Sequence, residues 1–163
     1  MAWTLLLAAG QGNRLASATG GLAKQFLDWK GAPLYWESTL VFSRCARVEG
    51  LVFVFPEACI DEERERVAGL MRNASLGIPW KVVAGGALRQ DSVRNGLSAL
   101  PDDCMEVLIH DAARPFVSPV LVNRILDGLH GEASGKCVAA CIPGIPVVDT
   151  IKVMDEEKKV VAT

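Results

Sequence analysis

A glycine-rich segment that ends in an arginine follows the first apolar run of the chain, residues 3–8. Gly10 and Gly12 leave room for backbone N–H groups to approach an anion closely. Arg14 adds a positive charge that can hold a phosphate through two parallel hydrogen bonds. The segment therefore predicts a phosphate-binding loop, and the alternative is a plain structural turn.

Two common phosphate-binding motifs are excluded at this position. A P-loop requires a Gly-Lys-Ser/Thr ending, which the segment lacks. A dinucleotide-binding fingerprint requires a third glycine, where this sequence has Leu15. It also requires an acidic residue at the end of the second strand, where this sequence has Phe55 and Pro56. Lys24 is either a solvated surface lysine or, close to a phosphate site, a group that neutralises charge on a transferring phosphoryl group.

Continuous apolar runs alternate with helical patterns, and these elements must position the loop and the lysine. Such runs are typical of strands that are buried on both faces, and they predict strands at residues 3–8, 51–55, 80–84, 106–110 and 137–142. Helical patterns are expected at residues 33–45, from 61 onward, at 91–100 and from 119 onward. The alternation predicts an open, mostly parallel α/β sheet with helices on both faces. Ligands of such sheets bind beyond the carboxyl ends of the strands.

Particular residues support these helix predictions. Pro33 suits the first turn of the first helix, and Ser118 is expected to cap the last helix, with Pro119 in its first turn. Within the helix at 91–100, we expect Val93, Leu97 and Leu100 to be buried.

Composition and charge narrow the class of protein. The chain has 163 residues, of which 50% are hydrophobic and 22% charged, so it can bury a core and is not a disordered chain. The net charge of −2 gives no basic excess for nucleic acid or an anionic membrane. Five cysteines without CxxC spacing predict buried thiols in the reducing cytoplasm, with Cys137 and Cys141 packed on one face of a strand.

The motifs, taken in chain order, carry a resemblance to a known family. They are Leu7-Ala8-Ala9-Gly10-x-Gly12-x-Arg14, Lys24-Gln25-Phe26-Leu27, Gly31-x-Pro33-Leu34, Gly85-Gly86-x-x-Arg89-x-x-Ser92-Val93, His110-Asp111-Ala112-Ala113-Arg114-Pro115 and Asp149-Thr150-Ile151-Lys152. The first motif is shared by many nucleotidyltransferases, whereas the fourth and fifth motifs together are specific to one family and its close relatives. The sequence resembles the 2-C-methyl-D-erythritol 4-phosphate cytidylyltransferases of the non-mevalonate isoprenoid pathway. One departure is Ala23, which stands where the family usually has proline.

The resemblance implies a fold, a reaction and an assembly. The fold would be a Rossmann-like nucleotidyltransferase domain with a mostly parallel mixed sheet and a projecting β-arm. The reaction would transfer a cytidylyl group from CTP to methylerythritol phosphate with Mg2+, releasing pyrophosphate. The arm, whose start is residues 145–163, would make a homodimer.

The resemblance also implies a role for each matching residue. Catalytic stabilisation would come from Arg14 and Lys24. Nucleotide binding would involve Ala8, Ala9, Gly10, Gln11, Gly12, Gly85, Gly86, Arg89 and Ser92. Asp111, Arg114 and Thr150 would bind the sugar phosphate, and Asp111 would also bind the metal.

Simpler roles remain open for three of these residues. Asp111 could cap a turn, Arg114 could be a structural salt-bridge partner, and Ser92 could cap the helix at 91–100 as well as contact the base. The nucleophile would be a phosphate monoester with a second pKa of about 6, so no general base is required. We accordingly expect His110 to be a packed, hydrogen-bonded residue.

Other functions remain open as well. A ribitol-5-phosphate cytidylyltransferase would share the motifs, and a chain that binds CTP without turnover is a further alternative. Residues 1–163 are expected to form a single nucleotidyltransferase domain that lacks its C-terminal part, because the family continues with a substrate-binding arginine and lysine. Residues 149–153 and 159–162 are expected to pair as a hairpin in the arm.

Overall fold

The structure is a computed structural model that describes residues 1–10, 22–131, 135–146 and 152–162. The chain divides into two compact units, Met1–Asn123 and Arg124–Thr163. All the predicted site residues that the structure describes lie in the first unit. The expectation of a single domain over residues 1–163 stays a prediction.

A parallel four-stranded sheet is the centre of the first unit. The strands of this unit are β1 (Ala2–Leu7), β2 (Asp28–Trp29), β3 (Ala32–Pro33), β4 (Val48–Phe55), β5 (Trp80–Ala84) and β6 (Glu106–Asp111). The main sheet has the order β5-β4-β1-β6, and all of its pairings are parallel. The α/β class is therefore confirmed, and four of the five predicted strands form close to their expected bounds.

Helices lie on both faces of this sheet. The helices of the chain are α1 (Tyr35–Ser43), α2 (Ile60–Asn73), α3 (Arg89–Leu97) and α4 (Pro119–His130), and the position of α1 and α3 relative to the sheet follows from their contacts. Tyr35 of α1 packs against the rings of Phe53 and Phe55. Gly96 of α3 approaches the side chain of Val54, which alternates with those phenylalanines along β4. Since successive strand residues point to opposite faces, α1 and α3 lie on opposite sides of the sheet.

The start of the first helix differs from its prediction, because a hairpin occupies the preceding residues. Strands β2 and β3 pair in antiparallel fashion, with Trp29 opposite Ala32. Lys30 and Gly31 both have positive φ, as a tight two-residue hairpin turn requires. Pro33 therefore belongs to β3, and α1 begins at Tyr35.

The buried face of α3 also differs from its prediction. Leu97 is exposed, while Ser92 and Gly96 are buried. A Cβ atom at position 96 would lie 2.6 Å from Leu5 Cδ2, so glycine is what allows the helix to approach β1 this closely. The side of α3 that faces the sheet is thus set by its small residues, and Leu97 turns outward.

The predicted strand at residues 137–142 is wrong. None of these residues belongs to a strand, and most are exposed, including Cys137. The Val138 N–H donates to the Leu129 carbonyl, and Cys137 Sγ contacts the His130 carbonyl. The segment therefore returns to the end of α4, and no described strand supplies the ladder of hydrogen bonds that a strand requires.

A hairpin forms in the second unit where one was expected, but residues 149–151 of its predicted first strand lie outside the described residues. Strands β7 (Val153–Met154) and β8 (Val160–Ala162) pair in antiparallel fashion. Asp155 closes the turn by accepting a hydrogen bond from the Lys159 N–H at 2.8 Å, and Lys158 has a positive φ of 62°. The apolar side chains of both strands are exposed.

One feature of the helices concerns membranes. Across the described ranges, no helix combines the length and the apolar character that crossing a bilayer requires.

Candidate active site

The ends of three parallel strands bring the predicted site residues to one edge of the sheet. Leu7 at the end of β1 lies opposite Asp111 at the end of β6, and the Ala112 N–H donates to the Leu7 carbonyl. On the other side of β1, the Ala8 N–H donates a hydrogen bond to the carbonyl oxygen of Val54, which is the residue before the end of β4. The loop that starts at Ala8 is therefore held between neighbouring strands at their carboxyl ends, where α/β sheets bind ligands.

The double glycine after β5 contacts this loop. The Gly85 N–H donates to the Phe55 carbonyl at 2.7 Å, which places the glycine beside the end of β4. A Cβ atom on Gly85 would overlap the Ala9 Cβ and lie 2.9 Å from Ser92 Oγ. Glycine at position 85 thus permits the direct approach of the loops that follow β1 and β5.

Ser92 binds the double glycine at residues 85 and 86, and it does not cap α3. The side chain is buried, and its Oγ accepts a hydrogen bond from the Gly86 N–H at 3.1 Å. The residue that caps the start of α3 is Asp91, whose Oδ2 accepts from the Leu88 N–H at 3.1 Å. Ser92 therefore holds the double glycine in place from the first turns of α3.

Asp111 lies between two arginines. Arg89 donates to its Oδ1 from Nη2 at 2.9 Å and from Nε at 3.2 Å, and Arg114 Nε lies 3.4 Å from Oδ2. The two arginine side chains are 65% and 79% exposed, so the ion pairs add little to stability. Both guanidinium groups are accessible to an anionic ligand and carry the charge and geometry that suit phosphate.

His110 packs beneath this cluster, as expected from the sequence. Its Nε2 lies 3.0 Å from the Arg114 carbonyl oxygen, and its ring meets Phe42 edge to face at 5.1 Å. Burial lowers the pKa of the imidazole below its ordinary value. His110 is therefore a neutral residue that supports the turn between Asp111 and Arg114.

Lys24 lies on a short 3₁₀ turn, Lys24–Phe26, and its side chain is exposed. The following residue, Gln25, is buried and reaches the loop after β1. Its Nε2 donates to the carbonyl oxygens of Ala8 and Gly10, each at 2.7 Å. Gln25 stands in one of the family motifs, but the sequence assigned it no role, because the backbone that it binds lies 17 and 15 residues earlier in the chain.

Four of the predicted site residues lie outside the described residues. They are Gln11, Gly12, Arg14 and Thr150. Among the described residues, the structure brings together Ala9 with Gly85, Gly86 with Ser92, and Arg89 with Asp111 and Arg114.

The donor set around Asp111 is compatible with one kind of metal site. In the described part of the chain, no three His, Cys, Asp or Glu side chains are grouped closely enough to hold an ion. Asp111 offers a partly exposed carboxylate, whose oxygens Mg2+ prefers. A single carboxylate fits a Mg2+ ion that takes its other ligands from substrate phosphates and water.

Comparison with solved structures supports the fold. The 4-diphosphocytidyl-2C-methyl-D-erythritol synthase from Anaerococcus prevotii aligns with a TM-score of 0.73 at 20% identity, over 100% of this chain and 64% of that one. At this level of identity, the likeness establishes the nucleotidyltransferase fold alone.

Comparison with curated proteins and a family model establishes the relationship. The chain is 51% identical over 154 residues to the bifunctional enzyme IspD/IspF of Oleidesulfovibrio alaskensis, in an alignment that spans 94% of this chain but 37% of that protein. It is 33% identical over 153 residues to the 2-C-methyl-D-erythritol 4-phosphate cytidylyltransferase of Clostridium botulinum, and spans 61% of its length. Residues 2–163 match the family model described as IspD: 2-C-methyl-D-erythritol 4-phosphate cytidylyltransferase. The chain therefore belongs to the IspD family.

Proposed function

We propose that this protein transfers a cytidylyl group from CTP to 2-C-methyl-D-erythritol 4-phosphate, in the supply of isoprenoid precursors. An oxygen of the acceptor's phosphate attacks the α-phosphorus of CTP, and the bond from that phosphorus to the β-phosphate oxygen breaks. The products are 4-diphosphocytidyl-2-C-methyl-D-erythritol and pyrophosphate.

The observation that carries this proposal is the meeting of three family motifs at one edge of the sheet. The loop that starts at Ala8 contacts Gly85, and Arg89 of the double-glycine motif pairs with Asp111 of the motif at the end of β6. Residues from distant parts of the chain thus surround one surface with glycine backbone and arginine charge. That surface suits a ligand that carries several phosphates.

Each side of the site supports a different part of the proposed reaction. The loop at residues 8–12 would bind the CTP phosphates, while Gly85, Gly86 and Ser92 would bind cytosine. Because Ser92 already holds Gly86, its contribution to base binding includes shaping this loop. Asp111, Arg114 and Thr150 would bind the sugar phosphate.

Charge neutralisation is the main chemical requirement of this reaction. Its two substrates are both anionic, and the acceptor phosphate is largely dianionic at neutral pH. No base has to remove a proton, which agrees with a half-buried, neutral His110. Arg14 and Lys24 would stabilise the charge that develops on the transferring group.

Mg2+ is proposed to bind at Asp111 together with phosphate oxygens of the substrates. When bound, the ion would neutralise phosphate charge and help to orient the reacting groups. Arg89 and Arg114 share the same carboxylate, so each would need to turn toward a substrate phosphate for Asp111 to reach the ion.

Two further proposals concern the setting of the enzyme. The β7–β8 hairpin exposes apolar side chains, including Val153 and Val160, which supports a homodimer made through this arm. All five cysteines are free thiols, which supports a protein that works in the cytoplasm.

The test is release of pyrophosphate by the intact protein with CTP, Mg2+ and a panel of acceptors. We expect turnover with 2-C-methyl-D-erythritol 4-phosphate, and a preference for ribitol 5-phosphate would contradict the proposed acceptor. Arg14→Ala and Lys24→Ala should each lower kcat by about a hundredfold or more without changing the far-UV circular dichroism spectrum. Near-normal rates in both variants would contradict the catalytic roles of these two residues.

A further inference from the structure

Three consecutive residues of the Lys24–Phe26 turn have three different surroundings. Lys24 is exposed, Gln25 is buried with 4% of its surface accessible, and Phe26 packs in an aromatic cluster. The ring of Phe26 lies 6.3 Å from that of Tyr35 and 6.0 Å from that of Phe55. Since Phe26 ties the turn to the core, the backbone that carries Lys24 has a defined position relative to the sheet.

Gln25 links this turn to the loop after β1. Its amide nitrogen is 2.7 Å from the carbonyl oxygens of both Ala8 and Gly10, which are 17 and 15 residues away in sequence. One amide group thereby uses both of its N–H donors on the same loop. A carboxylate or a thioether of similar size offers no donor for either carbonyl oxygen.

These two bonds also determine how the loop presents its backbone. In a planar trans peptide, the N–H points opposite to the C=O, and the described residues contain no cis peptide. The Ala8 carbonyl points toward Gln25, so the N–H of the same peptide, which belongs to Ala9, points away from it. The amide of Gln25 therefore fixes the orientation of this peptide, and a backbone N–H held in one orientation is the kind of donor that anion binding requires.

We propose that Gln25 is a positioning residue that holds the loop starting at Ala8 and the Lys24 turn in one fixed relation. The inference rests on the proposed function, and it adds that phosphate binding and charge stabilisation depend on a shared, buried amide. Gln25 does not contact the reacting atoms. It acts through the loop backbone on one side and through Lys24 on the other.

The test compares Gln25→Met with Val67→Ala in the intact protein. Methionine keeps the length and burial of the side chain but has no donor, whereas Val67 is a buried residue of α2 that serves as the control for lost stability. We expect Gln25→Met to lower kcat/KM for CTP by about tenfold or more, because misplacement of binding groups raises the barrier. The KM for the acceptor phosphate should change by less than about twofold. Val67→Ala should lower the unfolding midpoint and leave both constants near their wild-type values.

A second variant keeps the test decisive if Gln25→Met does not fold. Gln25→Glu preserves the size of the side chain and, when ionised, lacks both donors, so it should show the same selective loss. An active wild type whose folded Gln25 variants retain kcat/KM for CTP within about twofold would overturn the role of Gln25 alone. If kcat/KM for CTP and the KM for the acceptor phosphate both worsen to the same extent, and Val67→Ala shows the same changes, the role of Gln25 is merely structural. An inactive wild type would overturn the proposed function and this inference together.

Discussion

The carboxylate of Asp111 can serve the site both before and after an anionic ligand binds. In the structure, it holds Arg89 and Arg114 close together, although both arginines are largely exposed. Two like charges beside one another would repel without it. Because exposed ion pairs contribute at most about 1 kcal/mol, a polyanionic ligand can draw either arginine away at small cost. Asp111 therefore keeps the two arginines at the site but binds them weakly enough for an anionic ligand to replace it.

Thr4 provides a residue-scale prediction about stability. It is fully buried in β1, and its Oγ1 has no hydrogen-bond partner among the described residues. A buried hydroxyl without a partner costs about 1–3 kcal/mol, and valine has nearly the same shape without that cost. Thr4→Val should therefore raise the free energy of unfolding by about 1 kcal/mol, measured by urea denaturation.

A matched control for this prediction lies in α1. Thr39 is equally buried, but its Oγ1 donates to the Tyr35 carbonyl at 3.0 Å. Thr39→Val loses that bond and should lower the free energy of unfolding by about 0.5–1 kcal/mol. A Thr4→Val variant that is also destabilised would show that the Thr4 hydroxyl finds a partner in solution.

At the level of single residues, the sequence identified the types of group in the site but not their contacts. Glycines at 85 and 86 and the acid at 111 stand in motifs that the family resemblance revealed. The pairing of Arg89 with Asp111 and the bonds of Gln25 join residues 22, 17 and 15 positions apart. Such contacts depend on how strands and helices pack, which local patterns do not encode.

At the scale of elements, the close approach of α3 to the sheet depends on Gly96. A Cβ atom there would lie 2.6 Å from Leu5 Cδ2 and 3.2 Å from Val54 Cγ2. Although alanine favours a helix over glycine by about 1 kcal/mol, overpacking of a core typically costs about 1–3 kcal/mol. We expect Gly96→Ala to lower the free energy of unfolding, measured by urea denaturation.

A second helical glycine supplies the control for this prediction. Gly69 lies within α2, and a Cβ atom there would meet nothing within 4 Å. Gly69→Ala should therefore gain the helix preference and raise the free energy of unfolding by up to about 1 kcal/mol. An equal increase in the free energy of unfolding in both variants would contradict the tight packing assigned to Gly96.

Predictions of whole strands succeeded at continuous apolar runs, although only β1 and β4 are mostly buried and β5 and β6 are half-buried. Strands β1, β4, β5 and β6 were expected from these runs, and the Ser118 cap of α4 is confirmed by its bond from the Leu121 N–H. Residues 137–142 have the same pattern but form no strand. Apolar character alone cannot supply the neighbouring backbone that a strand needs, so this difference was not predictable from the segment itself.

At the scale of the whole molecule, a buried carboxyl makes global stability depend on pH. Glu63 of α2 is buried, accepts a hydrogen bond from the Tyr35 hydroxyl at 2.8 Å and pairs with Arg66 at 3.2 Å. Burial raises the pKa of Glu63 above its ordinary value, in spite of the opposing effects of Tyr35 and Arg66. The contact joins α1 to α2, so its protonation bears on the packing of two helices.

The direction of this pH dependence follows from proton linkage. As pH rises through the ordinary pKa of 4.5, the unfolded chain releases the Glu63 proton while the folded protein still holds it. Stability therefore falls as pH rises across this window, and it levels off above the pKa of the folded state. Relative to Glu63→Gln, which does not titrate, the wild type should be most stable below the ordinary pKa of 4.5. It should lose that advantage as pH rises through the raised pKa of the folded state, as measured by urea denaturation at several pH values.

Tyr35 provides a second test of this prediction, because the hydrogen bond from its hydroxyl favours the charged form of Glu63. In a Tyr35→Phe background the pKa of Glu63 should rise further, so the loss of stability with pH should be larger and extend to higher pH. The comparison uses four proteins, the wild type, Tyr35→Phe, Glu63→Gln and the double variant, so that changes unrelated to the contact cancel. If the stability of the wild type relative to Glu63→Gln instead grows as pH rises, burial does not dominate at this site, and the Arg66 ion pair sets the pKa of Glu63.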